Sequence, residues 1–322
     1  MKTNVWKIAL CAAGVCASGF TAHAAPLQRA DVMADPAWVL HLDCDGLRPT
    51  TVGQYILSEM DKPEAMAKLA AFQSIFNFDL RNQLHGVTLY GSSSVPEDGV
   101  LMVYADFDPV RLVTLAKAAG KYQSSMHNKH AIHSWIDDSK PGKNGVKPRV
   151  YAAIQGSRVI FGQREGRVGQ ALDVLDGLTA SMAKGNAFPD LGVSGSGHFI
   201  EAAARKMNLP DSDPNAAILK LSQSVELVVG EGQQQLQGAV TLVADNADVA
   251  AQVASIVNGL VALMKLQTDK PESGMIANGL AITQDGPRVV GKLVLPASRM
   301  VAIMKADAAR KAAAQAEKEA KE

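Results

Sequence analysis

The chain has 322 residues, with 32 basic and 32 acidic side chains and a formal net charge of zero. With no basic excess to neutralise phosphates, nucleic acid is not an expected partner. Three cysteines are too few for a disulfide framework, so stability has to come from burial.

The first residues read as an export signal. Lys2 and Lys7 make a basic start, residues 8–20 form a short apolar run, and Ala22-His23-Ala24 supplies the small residues a signal peptidase needs. The run is shorter than the roughly 20 apolar residues of a membrane span. Leu10 and Val15 stand where a lipobox ahead of Cys11 or Cys16 needs a small residue. The expectation is a signal peptide over 1–24, cleaved after Ala24, and a soluble periplasmic or secreted protein with no second spanning segment. Only Cys44 then remains, and one thiol cannot close an internal disulfide.

The next segment, WVLHLDCDGL, alternates. Trp38, Leu40, Leu42 and Cys44 are set against Val39, His41, Asp43 and Asp45, which predicts a half-buried strand with the first set inward. Two helices should follow, one with the stripe Val52, Tyr55, Ile56 and Met60. The other carries Ala65, Leu69, Phe72 and Phe76, with Pro63 near its start.

A repeat then governs the chain. VLMVYADFDPV, ending at Val110, is echoed by AVTLVADNADV, ending at Val249, without a gap. Gly91 matches Gly230, Gly99 matches Gly238, and Asp106 matches Asp245. Each copy reads strand, polar turn, strand, helix. Asp108-Pro109 forms an N-cap and first helical residue, ahead of Leu112, Leu115, Ala116 and Ala119. In the second copy Asn246 or Asp248 caps the stripe Val249, Val253, Ile256, Val257, Leu260 and Met264. Further on, QGSRVIFG is echoed by QDGPRVVG, with Gly156 and Gly286 in hairpin turns and a helix after each.

These elements predict an α+β fold of two related lobes of antiparallel sheet with helices packed on one face, arising by internal duplication. The lobes cover 25–186 and 198–304, joined by a Gly- and Pro-marked linker over 187–197. Residues 305–322 hold no apolar side chain larger than alanine and read as a solvated helical tail, with Glu317 and Lys321 as an i,i+4 pair.

Histidines offer the most specific chemistry. His127, His130 and His133 are three apart, but strand alternation sends His130 and His133 to opposite faces and leaves His127 in a polar loop. His41 and Asp43 share a face, so the candidate metal ligands are His41, Asp43 and His133, provided that their strands are neighbours. The alternative is an ordinary wet sheet face carrying His41, Asp43, Gln237 and Thr241. Cys44 with His41 fails as a catalytic pair, because the two point apart. Ser194 and Ser196 between glycines make no nucleophile elbow, and the glycines of 192–197 lack the preceding strand of a phosphate loop. Asp106/Asp108 and Asp137/Asp138 are explained by capping and by the loop that continues as SKPGKNGVKP. No motif implies a cofactor.

The opening WVLHLDCDGLRPTTVGQ, the duplicated hairpin–helix units and the Ala/Lys/Glu tail resemble a group of exported bacterial proteins of unknown function. That resemblance implies no activity and no site residues. The expected role is a non-catalytic cell-envelope or extracellular protein that binds an unknown protein or envelope component. Two alternatives are a metal-assisted hydrolase on the His/Asp patch and a carrier of an apolar ligand. The carrier predicts a cleft between the lobes, lined by methionines and valines of the second lobe.

Overall fold

The computed structural model describes residues 27–138, 147–193, 195–205, 222–266 and 271–319. The expected signal peptide with its cleavage after Ala24, Ser194, residues 139–146 and Lys321 lie outside the described residues.

The strands are β1 (Trp38–Asp43), β2 (Leu84–Gly91), β3 (Gly99–Ala105), β4 (Gln123–His127), β5 (His130–Ile136), β6 (Arg149–Gln155), β7 (Arg158–Gly162), β8 (His198–Arg205), β9 (Ser222–Gly232), β10 (Gln235–Ala244), β11 (Leu280–Asp285) and β12 (Arg288–Pro296). The helices are α1 (Cys44–Leu47), α2 (Thr51–Met60), α3 (Pro63–Phe76), α4 (Pro109–Ala118), α5 (Glu165–Leu175), α6 (Ala247–Leu266), α7 (Pro271–Gly279) and α8 (Ala297–Glu319).

The fold is α+β. All twelve strands form one antiparallel sheet in the order β11-β12-β10-β9-β8-β1-β2-β3-β7-β6-β5-β4. Read outward from the middle, β1-β2-β3-β7-β6 mirrors β8-β9-β10-β12-β11, so the two repeats are joined through antiparallel pairing of β1 with β8. The β4–β5 hairpin extends the first repeat alone.

The shared glycine of the repeat has a packing reason. Gly91 faces Trp38, the first residue of β1, and a Cβ there would stand 2.7 Å from the indole ring. Gly230 faces His198, the first residue of β8, where a Cβ would meet the Gly197 carbonyl oxygen at 2.5 Å. The gapless match does not survive the turn. Gly99 pairs with Gly91, whereas Gly238 pairs with Val229, because seven residues link β2 to β3 and only Gln233 and Gln234, both at positive φ, link β9 to β10.

Capping follows the sequence closely. Asp108 Oδ1 accepts from the amides of Val110 and Arg111 at the start of α4, and Asn246 Oδ1 accepts from Val249 at the start of α6. The α2 N-terminus is held from the other lobe, where Glu231 accepts from the amides of Thr51 and Val52.

Helices occupy both sides of the sheet. Met102, Ile160, Ala153 and Ile132 are successive register partners, and they pack with Val168 and Leu172 of α5 in the main core. Their chain neighbours Leu101, Phe161, Ala152 and His133 form the adjacent row, which by strand alternation points the other way, towards α4. On that second side α6 packs on Leu242 and Val289, and Met300, Val301 and Met304 of α8 pack on Leu236 and Leu295.

Several expectations need correction. Leu40 is 41% exposed while Val39, His41 and Asp43 are buried, so the β1 faces are reversed from the sequence reading. Leu27 and Val32, just ahead of the strand, and Phe188 and Leu191, far along the chain, cover the Val39 side. Cys44 belongs to α1 and not to the strand. Within 187–197, expected as a linker, Ala187, Phe188 and Leu191 are core residues. Arg29 holds them there, donating to the carbonyls of Met182, Ala187, Phe188 and Leu191. His127 lies in β4, where it pairs with His130.

The residue-304 boundary disappears into α8, whose Arg310 pairs with Glu272 at 2.9 Å while Lys305 lies over the Tyr55 ring. Finally, α6 is long and apolar enough by length and composition to cross a membrane, a stretch that the sequence reading passed over. Its inner side, with Val253, Ala254 and Val261, is buried.

Candidate functional site

The proposed metal ligands do not converge. His41 and Asp43 lie on the α5 side of the sheet, and His133 lies on the α4 side, with β2, β3, β7 and β6 between their strands. Strand alternation, which paired His41 with Asp43, is what separates His133 from them. Among the described residues no group of three or more His, Cys, Asp or Glu side chains could hold a metal ion.

Each has a local role instead. His41 Nδ1 lies 2.8 Å from the Thr88 hydroxyl, and Asp43 caps α1 by accepting from the Gly46 amide at 2.8 Å. Burial pushes the Asp43 carboxyl above the ordinary carboxylate range, partly offset by that amide. His127 and His130, which share a face, reach Asp173 and Asp176 beside α5 at 2.8 and 3.0 Å.

His133 opens the feature that the sequence did not locate. It lines a pocket of about 350 Å³ between α4 and the sheet. The walls are Leu112, Leu115 and Ala116 of α4, Ala119 just past its end, Phe76 at the end of α3, and Trp135, Ala152, Ile154, Val159 and Phe161 of β5, β6 and β7. Leu112, Leu115, Ala116 and Ala119 are the stripe expected from the sequence. None of α4's residues is fully buried, however, because the stripe faces open space and not a packed core. Alanines at 116, 119 and 152 leave that space. Arg111 keeps the helix aloft by donating to the Ile75 carbonyl at 2.9 Å.

Among the described residues the lining has one titratable side chain, His133. Its Nδ1 lies 2.9 Å from the Tyr122 hydroxyl, and the two rings stack with centroids 6.0 Å apart. Burial, helped by the Lys117 charge, lowers the His133 pKa, so the ring is neutral at pH 7. Phe161 also borders a second, larger groove of about 710 Å³ on the same face, floored by Trp38, Leu89 and Leu101. Among the described residues Phe161 is the one side chain that lines both. Such a site can hold hydrocarbon and offer the His133 imidazole as a hydrogen-bonding group.

No protein-family model and no curated relative matches the sequence. Among solved structures the chain is similar to crystal form III of TP0453, with a TM-score of 0.49 and 12% identity over 87% of this chain and 98% of that one. Crystal form I of TP0453 scores 0.46 at 10% identity, over 88% of this chain and 98% of that one. A likeness at that level says nothing about activity.

Proposed function

We propose that this chain is a non-catalytic binding protein for a small, elongated apolar molecule, held beneath α4 with its one polar end at His133. The observation that carries this is the apolar pocket beneath α4. Protein interiors pack at a density of about 0.74–0.76, and apolar space of about 350 Å³ falls in the size range of small-molecule pockets, roughly 300–1,000 Å³. The carrier alternative is therefore favoured over the hydrolase, but at a different place: within the first lobe and not in a cleft between lobes. The export signal expected over 1–24 supports a role outside the cytoplasm, where an apolar molecule needs a protein to cross water.

Calorimetric titration with octan-1-ol tests the proposal. The wild-type chain should bind saturably, and Ala116→Trp, which fills the pocket from α4, should weaken binding at least tenfold. Equal affinity in the two proteins would refute it.

A further inference from the structure

The second repeat reproduces the arrangement around the pocket. As α4 follows β3, α6 follows β10, and each helix is capped by the acidic or amide residue just ahead of it. Both helices lie on the same face of the one sheet. A single register row makes this explicit: Phe161, Leu101, Leu89, Leu40, Ala202, Leu227, Val240, Gly291 and Ile282 are successive partners across nine strands.

Its far end also meets a cavity. About 270 Å³ lies beneath α6, lined by Val253 and Val257 of the helix and by Val240, Leu242, Ile282 and Val289 of the sheet. An engineered apolar cavity of about 150 Å³ is enough to take benzene. The floor differs in a telling way. Where the first lobe places Phe161 beside Leu101, the second places Gly291 beside Val240, and Ile282 leans over the glycine, its Cδ1 3.2 Å from where a Cβ would stand. Among the described residues no titratable side chain lines this cavity.

We infer that the second lobe holds a second ligand site beneath α6, which takes hydrocarbon without a polar end. The inference rests on the proposed function only for the class of ligand, since the cavity is separate from the first. The two sites then differ in chemistry: an amphiphile fits the pocket with His133, and a purely apolar molecule fits either.

Benzene is the probe, followed by methyl NMR of the full chain. In the wild type, methyls of Leu112 and Leu115 and those of Val253, Val257 and Val289 should all shift saturably. In Ala116→Trp only the second-lobe set should still move. In Val257→Trp that set should stop responding while the first-lobe set remains. Val240→Phe, a smaller change at a half-exposed position of the floor, should do the same if the tryptophan variant does not fold. First-lobe shifts with a silent second lobe in the wild type would overturn the inference and leave the α4 pocket standing. Second-lobe shifts alone would support the inference and sink the proposed function.

Discussion

Glu201 stands directly across the β8–β1 junction from His41, and both side chains are about 1% exposed. The join between the two repeats is therefore made with a carboxyl group in the protein interior. Its Oε2 accepts from the Gly192 amide, tying the inter-lobe segment to the sheet. Burial pushes the Glu201 carboxyl above its ordinary value, and the amide only partly offsets this.

A pH dependence follows from the raised value. The folded protein holds this proton more tightly than the unfolded chain does. The resulting stabilisation is complete below the ordinary carboxyl pKa near 4.5 and is lost as pH rises through the folded value. Glu201→Gln removes the titration and keeps an acceptor for Gly192. Melting curves from pH 4 to pH 8 should therefore coincide at the acid end, with the variant more stable at pH 8. A variant less stable at pH 8 would contradict the assignment.

One continuous sheet predicts that the lobes unfold together. Leu172 is fully buried in the first-lobe core, and Leu172→Ala should cost about 2–5 kcal/mol. Fluorescence of Trp38 and Trp135 and helix signals from both lobes should show a single transition, moved as a whole. Two transitions, with only one of them shifted, would mean that the β1–β8 pairing does not couple the lobes.

How far the sequence reaches is visible in these elements. The α4 stripe, the Asp108 and Asn246 caps, the Gly156 and Gly286 turns and the duplicated order are all local patterns, and local patterns were legible. Which face of β1 is covered was not, because part of the cover comes from Phe188 and Leu191, remote in sequence from β1 and held by Arg29. The pocket was illegible for the same reason. Periodicity shows that Leu112, Leu115, Ala116 and Ala119 share a face; it does not show that Ala152 leaves a gap opposite them. His133 was singled out for its imidazole, and its setting among apolar walls appears only once β5, β6 and β7 are placed.

If His133 meets the polar end of the ligand, His133→Phe should separate two probes. Octan-1-ol should lose about 1 kcal/mol, the net worth of one hydrogen bond, while benzene should bind the first pocket as well as before. Equal losses for both would point to a change of shape and not of polarity. Because burial keeps the ring neutral, octan-1-ol affinity should stay flat between pH 7 and pH 8.

Cys44 should be a poor nucleophile. Burial raises its thiol to about 11, with Arg48 pulling the other way, so little thiolate is present at neutral pH. Iodoacetamide at pH 7.5 should label the native protein far more slowly than the unfolded chain, at least tenfold by mass spectrometry. Labelling at the unfolded rate would show the thiol to be open and unshifted.

The most direct measurement is of what the protein carries. The chain, purified without detergent from the cells that produce it, would be extracted into organic solvent and analysed by mass spectrometry beside Ala116→Trp. The account predicts a defined apolar molecule in near-stoichiometric amount with the wild type, and a large loss of it in the variant. The same molecule in equal amount from both proteins, or none from either, would contradict the claim that the space beneath α4 is a binding site.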